Sequence, residues 1–305
     1  MCGIAGHLNL NKKSDVLAGL SLLHHRGPDE RGVFTDRVCH LGIRRLAIVD
    51  LTPGVQPVTS KGGEVVTVMN GEVYNHVELA EGLHASGYLL KSKTDAEVVP
   101  HLYEEYGDQF LEKLRGMFAL AIWDSKRQRL LLARDRFGKK PLYYRRVGDG
   151  VAFASEIKAL KAMAPDAEWK VREQSVYDYL SLGVVPQSGT VYEGVAQVPP
   201  GSLMVFDRGQ LETQSYWIPR PGKQTACLEE IREKVQESVR LRLRSDVPVG
   251  VFLSGGIDSN VVAYEASRET KGEVETFTVG MSEERLDEST VALVAAQRYG
   301  VRNEV

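Results

Sequence analysis

The chain has few of the features that mark secreted, membrane or nucleic-acid-binding proteins. Only three cysteines occur among 305 residues, and their odd number and wide spacing argue against a disulfide framework and favour a reducing, cytoplasmic compartment. No apolar run approaches the roughly 20 residues that cross a bilayer, and the amino terminus lacks the pattern of a signal peptide. A net charge of −3 gives no sign of a nucleic-acid or membrane partner. The scattered histidines lack the spacing of metal ligands, so we predict no metal site built by the protein alone.

What the chain does have is a cysteine directly behind the first methionine. If Met1 is removed, Cys2 carries both a thiol and a free α-amine. Because an α-amine has an ordinary pKa of about 7.7–8.0, it can accept the thiol proton near neutral pH. A nucleophile and its base would then share one residue. The alternative is an incidental cysteine at the start of the apolar, glycine-containing run 2–6, which suits the beginning of a strand.

The sequence pattern predicts two domains with different architectures. Residues 1 to about 205 contain short strands, including one predicted over 41–51, with helices interspersed, which is typical of a layered α+β domain. The segment 216–222 reads as a linker. After it, strands and helices alternate as in a parallel sheet of βαβ units. We place the domains at 2–210 and 222–305 and expect the second to be an incomplete part of a longer protein.

A second motif follows the apolar strand predicted over 247–253. The sequence Ser254-Gly255-Gly256-Ile257-Asp258-Ser259 lies between that strand and a helix, where unpaired amides and hydroxyls can bind phosphate. It lacks the lysine of a Walker A loop. The alternative is an ordinary strand-to-helix turn in which Ser254 or Asp258 caps the helix.

A series of short motifs shows a family resemblance. The runs 2–6 (CGIAG), 25–29 (HRGPD), 45–50 (RLAIVD), 70–75 (NGEVYN) and 94–95 (TD) resemble the successive motifs of class II glutamine amidotransferases. The runs 134–138, 141–144, 154–158 and 199–201 continue that series, and the Ser254–Ser259 turn resembles the pyrophosphate loop of N-type ATP pyrophosphatases. This order of domains is similar to that of glutamine-hydrolysing asparagine synthetases.

The resemblance implies a fold and a set of glutaminase residues. The expected fold is α+β, a four-layer α/β/β/α N-terminal-nucleophile hydrolase sandwich followed by a partial α/β parallel-sheet nucleotide-binding domain. Cys2 would attack glutamine, and the Asn70 amide and the Gly71 N–H would hold the oxyanion. Arg45 would bind the α-carboxylate, and Asp95 and Glu72 the α-ammonium. The resemblance adds to the glutamine site the remaining members of one segment, Leu46, Ala47, Ile48 and Val49.

For some of these residues a simpler structural role stays open. Asn70-Gly71 is also a favoured hairpin-turn dipeptide, and Asp95 could serve only as an acid at a helix start. Residues 25–29, which contain a Gly-Pro turn, are interpreted as shaping the cleft only, and residues 134–138 as a structural turn or a domain contact. Cys39 and Cys227 are interpreted as inert packing residues.

In the second domain the resemblance implies ATP-dependent chemistry. Glutamine-hydrolysing asparagine synthetases adenylate aspartate with ATP and Mg²⁺ and release pyrophosphate, after which ammonia displaces AMP. The implied nucleotide contacts are Leu253, Ser254, Gly255, Gly256, Asp258, Ser259 and Val279. Asn260 stands where the family commonly has a second serine. The implied partners are glutamine, aspartate and ATP, with a homodimer possible. Two alternatives remain: a different carboxylate acceptor, and a glutamine-binding fragment without catalysis.

Overall fold

Among the described residues of the first part of the chain, apolar and β-branched runs form twelve strands, as such residues pack well on a pleated surface. The structure, a computed structural model, describes residues 1–10, 15–186, 189–222, 225, 227–283 and 285–305. It divides into two units, Met1–Pro219 and Arg220–Val305. The strands of the first unit are β1 Gly3–Leu8, β2 Glu30–Thr35, β3 Cys39–Arg45, β4 Val58–Thr59, β5 Val65–Val73, β6 Gly116–Asp124, β7 Arg129–Arg134, β8 Tyr143–Val147, β9 Gly150–Ala154, β10 Val195–Gln197, β11 Ser202–Asp207 and β12 Gln210–Ser215.

In the part of the first unit that the structure describes, six α-helices lie among these strands. They are α1 Val16–Ser21, α2 His76–Ala85, α3 Val98–Tyr106, α4 Phe110–Lys113, α5 Ile157–Met163 and α6 Glu173–Leu182. The apolar periodicity of residues 14–24 favours a helix, and the structure forms α1 within that range; Ser14 lies outside the described residues.

The strands form two six-stranded sheets whose neighbours run antiparallel. The first has the order β10-β8-β9-β1-β3-β2 and the second β12-β11-β7-β6-β5-β4. Apolar side chains from both sheets, among them Ile4 and Trp123, pack in one core between them. The outer face of the first sheet packs on α1 and α5, and that of the second on the segment 79–114, which includes α3. These four layers are the expected α/β/β/α sandwich, so the predicted fold class is confirmed.

Two details of the first unit correct the sequence interpretation. The strand predicted over 41–51 ends at Arg45, and residues 46–52 form a loop. The hairpin turn considered for Asn70-Gly71 is absent from this described region, because both residues lie inside β5 and pair with Ala119 and Phe118 of β6. Both differences matter for function, since the loop and β5 bound the same cavity.

The second unit contains a short parallel sheet covered by helices. Its elements are α7 Leu228–Arg242, β13 Gly250–Phe252, α8 Ile257–Glu269, β14 Glu275–Phe277, α9 Ser289–Tyr299 and β15 Asn303–Glu304. The sheet order is β13-β14-β15, and both pairings are parallel. The apolar face of α7 packs through Val239 with Leu253 and Ala263. The parallel βαβ arrangement predicted after residue 222 is thus observed.

Cys227 is the exception among the predicted packing residues. It is exposed, and its Sγ accepts a hydrogen bond from the Glu230 N–H at 3.4 Å while the Glu230 carboxylate accepts one from the Cys227 N–H. This reciprocal arrangement is a capping box at the start of α7. Cys39, in contrast, is buried in the core between the sheets as predicted.

Candidate active site

Cys2 lies at the entrance to β1, the central strand that pairs with β3 on one side and β9 on the other. Its Sγ accepts a hydrogen bond from the Leu46 N–H at 3.4 Å. The Arg26 Nε donates to the Cys2 carbonyl oxygen at 2.9 Å. The nucleophile candidate is therefore held from two directions by residues far away in sequence.

The environment changes the proton affinities of the thiol and the chain terminus in complementary directions. Burial raises the pKa of the Cys2 thiol, which the Leu46 N–H opposes by hydrogen bonding. Burial lowers the pKa of the terminal amine, which belongs to Met1 in this structure. A thiol that holds its proton needs a local base, and a terminal amine that binds its proton less tightly can serve as one.

Most of the predicted glutamine-site residues line one cavity of about 80 Å³. The predicted members are Cys2, Arg45, Leu46, Ile48, Val49, Asn70, Gly71, Glu72 and Asp95. Ala47 is not among the lining residues; its N–H instead donates to the Asp29 carboxylate at 2.9 Å. Residues separated by up to 93 positions in sequence, from 2 to 95, are thus brought together.

Asn70 projects into this cavity from β5 with no internal hydrogen-bond partner. Its side chain is completely buried, and within the described part of the chain neither Nδ2 nor Oδ1 has a partner. Leaving a buried polar group unsatisfied costs about 1–3 kcal/mol, so such a group in a cavity indicates a ligand site. The neighbouring Gly71 has φ +146°, and a Cβ there would lie 2.0 Å from the Met117 carbonyl oxygen. Only glycine fits at that position.

Asp95 provides a buried carboxylate on the same cavity. It begins a short 3₁₀ turn before α3, and its Oδ2 accepts a hydrogen bond from the Val73 N–H at 2.7 Å. Burial raises the pKa of Asp95, although this hydrogen bond acts in the opposite direction. The residue is more than an acid at a helix start, because its carboxylate joins the turn to β5 and faces the cavity.

Arg45 anchors the loop that closes one side of the cavity. Its Nη1 donates to Glu30 Oε1 at 2.9 Å and to the Thr52 carbonyl at 3.1 Å. Its Nη2 donates to the carbonyl oxygens of Val49, at 3.0 Å, and Asp50. These bonds use Nη1 and Nη2, so a substrate carboxylate bound by Arg45 would contact the Nε–H or share one of these acceptors.

Sequence reasoning missed several residues that line the cavity. Gln56, Thr94, Met117 and Lys140 all contribute to its wall. Gln56 accepts the Met69 N–H at 2.8 Å. Lys140 follows the turn 134–138, which is structural as predicted: the Arg134 guanidinium donates to the carbonyls of Gly138 and Val198. That turn places Lys140 beside the cavity. The one signal in the sequence that could have indicated Lys140 is its position directly before the run 141–144.

In the second unit, the Ser254–Ser259 loop connects β13 to the first turn of α8. The two serine hydroxyls lie 2.9 Å apart, and the Gly256 N–H donates to Ser254 Oγ at 3.2 Å. The Gly255 N–H donates to the carboxylate of Glu288 at 3.0 Å. Here the loop's amides and hydroxyls already converge, and one amide binds an anionic group of the protein.

Asn260 holds this loop in shape. Its Nδ2 donates to the carbonyl oxygens of Ser254, at 3.0 Å, and Gly256, at 2.8 Å. Its Oδ1 accepts the Tyr299 hydroxyl at 3.1 Å. A serine could not make all three bonds, so the departure from the family's common residue has a structural purpose.

The predicted adenine-side residues lie at the same edge of the parallel sheet but differ in exposure. Leu253 is buried in the core of the unit, whereas Val279 is 71% exposed. The Thr278 hydroxyl donates to the Leu253 carbonyl at 2.8 Å and ties the two strand ends together. The Leu253 side chain therefore packs inside the protein, and its part in nucleotide binding stays a prediction.

Neither a protein-built metal centre nor a membrane span appears among residues that the structure describes. In the described ranges, no three side chains of His, Cys, Asp or Glu come together as metal ligands. No described helix is both long and apolar enough to cross a bilayer.

The four-layer sandwich with a cysteine at the entrance to its central strand defines the fold class of N-terminal-nucleophile hydrolases. The chain belongs to the glutamine amidotransferase domain family, whose model matches residues 1–217. The asparagine synthase family model matches residues 230–305. The resemblance drawn from the motifs is confirmed.

Similar proteins occur in bacteria and fungi. Asparagine synthetase [glutamine-hydrolyzing] 1 of Bacillus subtilis is 36% identical over 99% of this chain and 49% of its own length. Amidase chry2 of Gibberella zeae is 36% identical over 99% of this chain and 50% of its own length. The chain spans about half the length of these curated relatives.

Solved structures extend the likeness in fold. Glutamine phosphoribosylpyrophosphate amidotransferase of B. subtilis has a TM-score of 0.53 and 18% identity. That match covers 99% of this chain and 71% of the solved chain.

Proposed function

We propose that this chain hydrolyses glutamine at Cys2 and that the complete protein uses the ammonia and ATP to amidate aspartate, giving asparagine. Residues 2–210 would form the glutaminase domain and 222–305 the first part of the synthetase domain. The observation that carries the proposal is one cavity that joins the Cys2 thiol, the Asp95 carboxylate and the Asn70 amide, which has no hydrogen-bond partner among the described residues.

The proposed reaction begins with proton transfer from the Cys2 thiol to its own α-amine, after removal of Met1. The sulfur bonds to the glutamine side-chain carbonyl carbon, and the carbonyl electron pair moves onto oxygen. The Asn70 Nδ2 and the Gly71 N–H would stabilise that oxyanion. Collapse of the intermediate breaks the C–N bond, and the amine returns the proton to the leaving ammonia. Water then cleaves the thioester, which yields glutamate and regenerates the thiol.

The charged ends of free glutamine would be bound at the far side of the cavity. Asp95 and Glu72 would hold the α-ammonium, and Arg45 the α-carboxylate. The segment 46–49 would form the wall beside the substrate, with Ala47 acting through the hydrogen bond from its N–H to Asp29.

In the second unit, Ser254, Gly255, Gly256, Asp258 and Ser259 would hold the phosphates of ATP, and Leu253 and Val279 would lie beside the adenine. The converging hydroxyls and amides of the loop and the α8 N-terminus support this assignment. Mg²⁺ would arrive with the nucleotide and neutralise phosphate charge. A cytoplasmic location and a homodimer remain expectations.

The glutaminase assignment can be tested by covalent labelling. A glutamine analogue that bears an electrophile should modify Cys2 in preference to the exposed Cys227, because Cys2 lines the cavity with the predicted glutamine-binding residues and Cys227 does not. Peptide mapping identifies the labelled thiol, and excess glutamine should protect it. Modification of Cys227 alone, or no ammonia release by chain whose Met1 is removed, would contradict the proposal.

A different acceptor is the second candidate, because fungal relatives named amidases are as similar to this chain as the bacterial asparagine synthetases. Pyrophosphate release by the complete protein, measured with aspartate and with other carboxylates, separates the two. A glutamine-binding fragment without catalysis would bind glutamine and release no ammonia.

A further inference from the structure

Lys140 brings a buried cation to the same cavity as the chain terminus. Its side chain belongs to a residue only 5% exposed, and it lines the cavity with Met1, Cys2 and Glu72. The backbone beside it is fixed, since the Lys140 N–H donates to Asp135 Oδ2 at 3.1 Å and its carbonyl accepts the Arg134 Nε at 2.6 Å. The turn therefore fixes the backbone of Lys140, and the side chain lines the cavity together with the chain terminus.

The Lys140 ammonium contacts an uncharged atom of the first residue. Its Nζ lies 3.1 Å from the Met1 sulfur. Removal of Met1 deletes that sulfur and transfers the free amine to Cys2, which lines the same cavity as Lys140. The second cation near the terminus, Arg26, differs because its guanidinium is paired with Glu156 at 3.2 Å.

We propose that Lys140 is a positioning residue that keeps the mature α-amine of Cys2 in its neutral, proton-accepting form. This inference rests on the proposed glutaminase function. A nearby ammonium disfavours protonation of the amine by like-charge repulsion, and burial strengthens that repulsion. In this proposal Lys140 acts on the amine and does not bind glutamine.

The charges around the terminus come from several elements. In the chain that retains Met1, Lys140 and Arg26 lower the pKa of the Met1 amine, whereas the Cys2 thiol and Asp29 raise it, and burial is the largest influence. Burial lowers the pKa of Lys140 itself, while Glu72, Cys2 and Asp135 oppose that change and Arg26 reinforces it. Asp95 and Arg45 act in opposite directions on the thiol. Of the two cations, Lys140 lowers the pKa of the Met1 amine more than Arg26 does.

The first test is the pH profile of kcat/KM for glutamine hydrolysis, whose acidic limb reports the amine of the free enzyme. Lys140→Met should move this limb upward by about half a pH unit, a roughly threefold loss of kcat/KM on its acidic side. Lys140→Arg should keep the wild-type limb. Lys139→Met is the matched control, because that neighbouring lysine is exposed; its profile should be unchanged. An unshifted limb in Lys140→Met would overturn the proposal.

A second test does not depend on activity. In Cys2→Ala, from which Met1 has been removed, the pH dependence of α-amine acylation reports the amine directly. Adding Lys140→Met should raise the apparent pKa of that amine, and adding Lys139→Met should not. A raised amine pKa in this background, together with no ammonia release by the Cys2-containing chain from which Met1 is removed, would refute the glutaminase and keep the electrostatic effect assigned to Lys140. An unchanged amine pKa in this background, together with ammonia release by that Cys2-containing chain, would refute only the inference.

Discussion

Glu30 and Arg45 form an ion pair at 2.9 Å in which the arginine side chain is only 4% exposed. The same carboxylate also accepts the Gly54 N–H through Oε2 at 2.9 Å. One acidic side chain on β2 thus fixes both the guanidinium and the loop that the guanidinium binds. Since that loop forms a wall of the cavity, its geometry depends on a charge outside the site.

Glu30→Gln should therefore impair glutamine binding more than chemistry. The substitution removes the negative charge opposite buried Arg45, and we expect the KM for glutamine to rise about fivefold or more with a smaller change in kcat. Loss of the charge-assisted bond should lower the free energy of unfolding by about 1–3 kcal/mol. Steady-state ammonia release and thermal unfolding measure the two effects.

Its control is Glu64→Gln, which breaks an exposed pair with Lys126 at 3.6 Å. That change should stay within about 0.5 kcal/mol and leave KM unaltered. Equal effects of the two substitutions would contradict the role given to Glu30.

Asn70→Ala should reduce kcat for glutamine hydrolysis by about 100- to 1000-fold, the usual effect of removing an oxyanion donor. Stability should not fall, because the substitution removes a buried amide that has no partner within the described residues. Asn75→Ala provides the opposite pattern: Asn75 bonds the Arg115 N–H at 2.9 Å and the Lys113 carbonyl at 3.0 Å, so stability should decrease with kcat preserved. A destabilised but active Asn70→Ala protein would assign Asn70 to structure alone.

Compared with the wild type, the Asp95→Asn protein should become more stable as pH rises. The substitution should also weaken glutamine binding. Because burial raises the pKa of Asp95 above its usual 3.8, the native state binds that proton more tightly than the unfolded state does. The stability linked to this group is present below pH 3.8 and is lost as pH increases through the native pKa. Asparagine does not titrate.

The melting temperature of Asp95→Asn minus that of the wild type should thus be larger at pH 7 than at pH 4. At pH 7 the KM for glutamine should increase, with little change in kcat, since an ammonium partner is lost. A difference in melting temperature that shrinks toward pH 7 would show that Asp95 is stabilised as a charge.

Glu288→Gln should increase the affinity of the second unit's loop for pyrophosphate. The Glu288 carboxylate accepts the Gly255 N–H at 3.0 Å, so a phosphate at that amide must displace it and meets its negative charge. We expect a several-fold tighter dissociation constant for inorganic pyrophosphate by calorimetry without divalent cations. Glu283→Gln, at an exposed carboxylate paired with Arg285, should leave the constant unchanged. Weaker binding in Glu288→Gln would show that Glu288 assists the ligand.

The sequence was most informative where local chemistry and regular structure agree. Cys2, the residues of β5 and the loop after β13 could be recognised because motif and strand pattern point to the same places. The course of the chain after Arg45 could not be predicted. Its apolar residues favour a strand, but the guanidinium's bonds to three backbone carbonyls stabilise a loop.

Lys140 and Gln56 are two further residues whose place in the cavity could not be predicted from the sequence. Neither lies in a motif with an evident chemical purpose, and each reaches the cavity through tertiary hydrogen bonds to residues such as Asp135 and Met69. Asn70-Gly71 shows the reverse case, in which a dipeptide that favours a hairpin is held inside a strand by its pairing with β6. Strand pairing decided the placement of Asn70-Gly71, whereas hydrogen bonds outside the strand ladders placed Gln56 and Lys140.

Because β1 lies in the centre of its sheet, the pocket around the Cys2 thiol can form only after residues that are synthesised much later. The Ile4 N–H donates to Ser155 Oγ at 2.9 Å, and β1 pairs with β9, which ends at Ala154. At translation rates of about 5–20 residues per second, the first residues wait roughly 8–30 seconds for these neighbours. During that interval a ribosome-bound chain exposes its terminus to processing enzymes, and its thiol has no formed pocket in which to meet a substrate.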